Sequence, residues 1–167
     1  DLLSKVTCDV LVASGSLPPG VPADFYARVA EKMRDRGIDF VLDTSGDALK
    51  ATLAAGGVLL VKPSLGELRQ YCGRDISGVE DISEAAMEIV RLGQAKLVAV
   101  TLGQDGAVLA HQGGTHFLPA ISVETQSAVG AGDSFLAAMI HALARGWDPI
   151  DAFRYGKLLE LQGGDFG

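Results

Sequence analysis

Gly130, Ala131, Gly132 and Asp133 stand in a row directly before an apolar stretch with helical spacing. Glycines flanking a small residue let the backbone turn tightly, so that successive N–H groups point at one spot. The positive end of a helix dipole adds to the potential there. An oxyanion or a phosphate fits such a cradle. A carboxylate in the first turn could take a proton from a hydroxyl attacking that phosphate. The same residues also have a plainer reading, a glycine turn followed by an Asp that stabilises a helix start. The run is neither G-x-G-x-x-G, because the third glycine is missing, nor Walker A, because no Gly-Lys-Ser/Thr follows.

Further chemistry-bearing residues fall where apolar runs end: Ser14 and Ser16 around Gly15, then Asp43, Lys62, and Thr101 followed by Gly103. Each also has an ordinary explanation. Asp43 could cap the next turn, and Lys62 could be a surface lysine with a buried stem. Ser64 and Glu67 have the spacing of a capping box. His111, His116 and His141 lack the spacing of a metal site, and Cys8 and Cys72 read as small apolar residues in a reducing compartment.

The elements that must position these residues are legible from periodicity. Short Val/Leu/Ile runs over 9–14, 38–43, 58–62 and 97–101 predict strands buried on both faces. Between them, helical spacing is predicted over 22–36, 47–55, 64–71 and 81–92, with Gly37 and the pair Gly56 and Gly57 as stops. A hairpin is predicted from 106–111 and 116–121 across a Gly113–Gly114 turn. Two helices follow, over 131–145 and from Asp148, where Pro149 suits a first helical position. Strands alternating with helices imply an α/β fold with a mostly parallel sheet covered on both faces. In such sheets ligands bind at the carboxyl ends of the strands, where the residues above fall.

The chain has 167 residues, 48% hydrophobic and 21% charged, which suits one folded domain over 1–167. A net charge of −7 without a basic run argues against nucleic acid as a partner. No apolar run is long enough for a membrane span, which points to a cytoplasmic protein.

Taken together, the segments carry a resemblance. Val129 to Phe135, preceded by Gln126 and Ser127, resembles the C-terminal signature of the ribokinase-like (PfkB-type) carbohydrate kinases. Ser14 to Gly20, Asp43 to Gly46, Lys62 to Leu68 and Thr101 to Gly106 resemble further motifs of that family, in its order and spacing. The Ser14 to Gly20 segment looks most like the phosphosugar branch, which holds 6-phosphofructokinases, 1-phosphofructokinases and tagatose-6-phosphate kinases. The resemblance implies a ribokinase-like three-layer αβα sandwich with a mostly parallel central sheet. It also implies ATP-dependent phosphorylation of a sugar phosphate, with Mg²⁺ and a monovalent cation such as K⁺, by an enzyme that is a homodimer when complete. By the same token Asp133 is the catalytic base, and Gly130, Ala131 and Gly132 form the anion hole. Lys62, Ser64, Thr101, Gly103 and Gly106 lie on the nucleotide side. Thr125, Ser127 and Val129 lie by nucleotide or cation. Ser16 faces the sugar phosphate, and Glu67 organises Mg²⁺ through water.

The chain also departs from the family pattern. Ser64 stands where relatives carry the Asn of an Asn-x-x-Glu motif. The Ala-rich helix expected after Tyr155 and Gly156 is replaced by Lys157, Leu158, Leu159 and Glu160. Upstream strands and a small β lid, which hold the sugar in relatives, have no counterpart. With a first residue other than Met and a glycine-rich tail, this implies a portion of a larger protein. Little kinase activity is expected of the portion alone, and a bare sheet edge should favour self-association. A kinase for an unphosphorylated sugar or a nucleoside, and a non-catalytic nucleotide-binding module, are the alternatives at this stage.

Overall fold

A computed structural model describes residues 2–120 and 130–161. After a 3-10 turn at Leu2–Lys5, four strands run parallel: β1 (Val10–Ser14), β2 (Asp39–Asp43), β3 (Val58–Val61) and β4 (Ala95–Thr101). A hairpin, β5 (Gly106–His111) and β6 (Gly114–Pro119), adds two antiparallel strands. The spatial order is β1-β2-β3-β4-β5-β6. Helices α1 (Phe25–Asp35), α2 (Gly46–Ala55), α3 (Leu65–Cys72) and α4 (Gly78–Arg91) make the crossovers, and α5 (Ala131–Ala144) and α6 (Pro149–Leu161) follow the hairpin.

This order decides which helix covers which face. Each parallel connection steps one strand in the same direction, and crossovers of one hand then place their helices on one side. Accordingly Val29 and Met33 of α1, Leu49 and Leu53 of α2, Leu68 of α3, and Ile82 and Ile89 of α4 share a core with Phe40, Leu42, Val98, Val100 and Val108. The opposite face is covered by α5 and α6. There Phe135, Leu136, Met139 and Phe153 pack on Val41, Leu97, Ala99 and Leu109. Neighbouring residues of β2, β4 and β5 thus point into different cores, which explains their unbroken apolar runs. The second face is less complete over β1. Val12 is exposed, and Val10, Asp39, Leu59, Ile140, Leu143 and Ala144 line an apolar groove there.

Predicted and observed elements agree in kind and order, and they differ at their ends. Regular helix in α1 begins at Phe25, because Pro22 accepts the Phe25 N–H in a tighter turn at 3.0 Å. The hairpin turns through Gln112 and Gly113, since Gly114 already pairs with His111 in β6. Gly106 opens β5 at φ 119°, and a Cβ there would meet the Leu118 carbonyl, so no larger residue fits. β6 stops at Pro119, and residues 121–129 lie outside the described part.

Candidate active site

The carboxyl ends of the parallel strands bring the expected residues to one rim. Ser14 and Asp43 are register partners at the ends of β1 and β2. Lys62 continues the ladder past β3, its N–H donating to the Leu42 carbonyl at 3.2 Å. Thr101 closes β4, donates its N–H to Pro63 at 3.0 Å and forms a parallel bridge with Ser64. Side chains so far apart in sequence become neighbours because β1, β2 and β3 end in register, with β4 running two residues further to meet Ser64.

Lys62 is not a surface lysine. Its side chain is 11% exposed, and its Nζ lies 3.4 Å from Oδ1 of Asp43, itself 18% exposed. Nor does Asp43 cap the next helix. Its Oδ2 accepts a long hydrogen bond from Ser14 Oγ at 3.5 Å, and Ser45 occupies the N-cap of α2. The same amine reaches the start of α5, where a Cβ built on Gly132 would stand 3.5 Å from Lys62 Nζ. A side chain at Gly132 would therefore touch the amine, and the glycine keeps the approach between the amine and the helix mouth clear.

The mouth itself is built as the glycine pattern implies. Gly130 is the N-cap at φ 82°, a left-handed conformation that other residues adopt at a cost, and no side chain caps the helix there. Ala131, Gly132 and Asp133 form the first turn, with N–H groups lacking intrahelical acceptors. Asp133 is exposed, and among the described residues its side chain has no hydrogen bond or ion pair. Its carboxylate is therefore open to an incoming hydroxyl.

Two loops frame this rim. Ser16 lies exposed in the loop after β1. That loop is pinned at Gly15, whose N–H donates to the Asp43 carbonyl at 2.9 Å. The Gly15 carbonyl accepts from Thr44 Oγ1 at 2.9 Å and from Tyr26 OH at 3.2 Å. Thr44 and Tyr26 were not anticipated from sequence, because nothing in their spacing links them to Gly15. The second loop follows β4. A 3-10 turn over Gly103–Asp105 is closed by the Leu102 N–H on the Gly106 carbonyl at 3.0 Å, with Gly103 at φ 60°.

Ser64 and Glu67 form the capping box of α3 that their spacing implies. Ser64 Oγ accepts the Glu67 N–H at 3.2 Å, and Glu67 Oε2 accepts the Ser64 N–H at 2.8 Å. One Glu67 oxygen is thus used by the helix, which leaves the other for water or a metal's hydration shell. Among the described residues no group of three or more His, Cys, Asp or Glu could hold a metal ion. Thr125, Ser127 and Val129 lie outside the described residues. Burial pushes the Cys72 thiol above its ordinary range, consistent with a packing residue.

Residues 6–159 match the pfkB family carbohydrate kinases. The chain belongs to that family. Two curated relatives are phosphofructokinases. The chain is 42% identical over 147 residues to the ATP-dependent 6-phosphofructokinase isozyme 2 of Mycobacterium tuberculosis, covering 88% of this chain and 43% of the relative. It is 40% identical over 155 residues to the 1-phosphofructokinase of Rhodobacter capsulatus, covering 92% and 48%. The pfkB fold is equally plain in three dimensions. Phosphofructokinase-2 from Escherichia coli in complex with fructose-6-phosphate superimposes with a TM-score of 0.89 at 35% identity, over 96% of this chain and 52% of that one. The Escherichia coli enzyme has also been solved in complex with potassium and in a tetrameric inhibited form. The chain thus spans about half the length of the relatives it matches. No helix among its described residues is long and apolar enough to cross a membrane.

Proposed function

We propose that the complete protein transfers the γ-phosphoryl group of ATP to a hydroxyl of a sugar phosphate, as a phosphofructokinase-like kinase of the cytoplasm. The observation that carries this reading is the Lys62 amine, held by Asp43 against Gly132 at the mouth of α5. Asp133 lies in the same helical turn. Such an arrangement gathers positive potential where a phosphoryl group would sit, next to an open carboxylate.

In this reading Asp133 accepts the proton of the sugar hydroxyl as its oxygen attacks the γ-phosphorus. The bond from that phosphorus to the β–γ bridging oxygen breaks, and ADP leaves. The N–H groups at Gly130, Ala131 and Gly132 hold the phosphoryl oxygens, and Lys62 offsets their charge. Phosphoryl transfer depends mainly on positioning and electrostatics, which these groups supply without covalent participation. Bound Mg²⁺ would neutralise the nucleotide phosphates, with Glu67 as the residue that would order its water. Ser64, Thr101, Gly103 and Gly106 line the nucleotide side, and Ser16 faces the phosphate of the sugar. Thr125, Ser127 and Val129 are assigned to nucleotide or K⁺ by the family resemblance. The complete protein is proposed to assemble as a homodimer at least.

The test is a coupled ADP-release assay on the complete protein with fructose-6-phosphate, fructose-1-phosphate, tagatose-6-phosphate, ribose and adenosine. Turnover confined to one of the sugar phosphates is expected. Turnover on ribose or adenosine alone would move the enzyme out of the phosphosugar branch. ATP binding without turnover on any acceptor would make it a nucleotide-binding module.

A further inference from the structure

Asp43 touches more of the site than its position suggests. One carboxylate oxygen meets Lys62, the other accepts from Ser14, and its main-chain carbonyl accepts from Gly15. The next residue, Thr44, is buried and holds the Gly15 carbonyl. The end of β2 therefore ties the loop carrying Ser16 to the lysine that faces the α5 mouth. A lysine amine sits on a flexible four-carbon stem and is a strongly hydrated point charge. Little of either side chain reaches solvent here, so the pair is screened far less than a surface ion pair. Without the carboxylate, nothing in this contact set would keep the amine against Gly132.

We propose that Asp43 is a positioning residue: it fixes the Lys62 amine against Gly132 and acts on the transferred phosphoryl group only through that amine. This inference rests on the kinase reading above, and its test separates the two.

The experiment is a double-mutant cycle in the complete protein: Asp43→Asn, Lys62→Met, both together, and the wild type. Steady-state kinetics with ATP and sugar phosphate, ATP and AMP titrations by calorimetry, and thermal melting are measured on each. Each single variant is expected to lose about 10²-fold in kcat/KM, the scale of a misplaced catalytic contact. The KM for sugar phosphate should change little. The double variant should be no worse than Lys62→Met, and ATP affinity should follow the same non-additive pattern while AMP affinity stays constant. Losses that multiply in the double variant would overturn the proposal. So would a raised Mg²⁺ requirement on adding Asp43→Asn to Lys62→Met, because Asp43 would then meet the metal directly. Asp43→Ser serves as a second neutral variant. If both neutral variants unfold while Lys62→Met stays folded, Asp43 is a folding residue and the proposal fails. A wild type that turns over no acceptor but shows the non-additive ATP cycle removes the kinase reading and keeps the inference. A wild type that binds no ATP removes both.

Discussion

The amine of Lys62 rests so near Gly132 that a Cβ at the glycine would stand 3.5 Å from Nζ, an ordinary contact distance. Gly132→Ala should therefore fold. Alanine is also the better helix former, by up to about 1 kcal/mol. Its methyl group would nevertheless occupy the gap between amine and helix mouth. The expected outcome is a melting temperature unchanged or raised, with kcat/KM down at least about tenfold because the phosphoryl group is displaced. Gly130→Ala behaves differently. At φ 82° an alanine is strained, at a cost of about 1–3 kcal/mol, so melting should fall along with activity. Equal activity in Gly132→Ala and wild type would show that no anion occupies the gap.

Asp133→Asn keeps the size of the side chain and removes the base. A general base contributes about 10²–10⁴-fold, and kcat should fall on that scale. ATP affinity should change little, since the main-chain N–H groups remain. The loss of a negative charge from the first turn of α5 should cost about 0.3–1 kcal/mol in stability. Unchanged kcat would remove Asp133 from the chemistry.

Glu67 offers a way to separate a cap from a metal role. Gln serves at the third position of a capping box as Glu does, so Glu67→Gln should preserve melting. If Glu67 also orders the water of Mg²⁺, the Mg²⁺ concentration for half-maximal rate should rise. Ser64→Ala should show the reverse: a loss of about 1 kcal/mol from the missing cap, with a smaller change in Mg²⁺ dependence. Identical Mg²⁺ curves for Glu67→Gln and wild type would leave Glu67 as a cap alone.

Gly156 of α6 meets α5 closely: a Cβ there would stand 2.9 Å from the Phe135 carbonyl oxygen and 3.2 Å from its ring. Phe135 and Phe153 pack edge to face beside this contact, with ring centroids 5.9 Å apart. Gly156→Ala must push the helices apart. Overpacking costs about 1–3 kcal/mol, and each kcal/mol lowers the melting temperature by about 2–4 °C in a chain of this size. Differential scanning calorimetry checks this. An unchanged melting temperature would mean that α6 slides without cost.

Much of the framework was readable because the rules that set it are short in range. Unbroken apolar runs in β2 and β4 reported strands enclosed on both faces. Ser64 and Glu67 announced a capping box because its two hydrogen bonds span three residues of one chain segment. Gly130 and Gly132 marked a tight turn ahead of a helix, which the structure resolves as a left-handed N-cap at Gly130. The ends of α1 and α4 were less legible, since helix termini depend on local competition such as the tight turn at Pro22.

The site divides in the same way. Sequence by itself determined the helices, the strands, the glycine cradle and the family to which they belong, because each is written in residues close together along the chain. Only the tertiary structure decided that Lys62 pairs with Asp43 and faces Gly132, and that Thr44 and Tyr26 hold Gly15. Those contacts join segments far apart in sequence. They exist because parallel register brings the strand ends to one rim and because α5 packs on the face opposite the crossover helices, neither of which any single segment encodes.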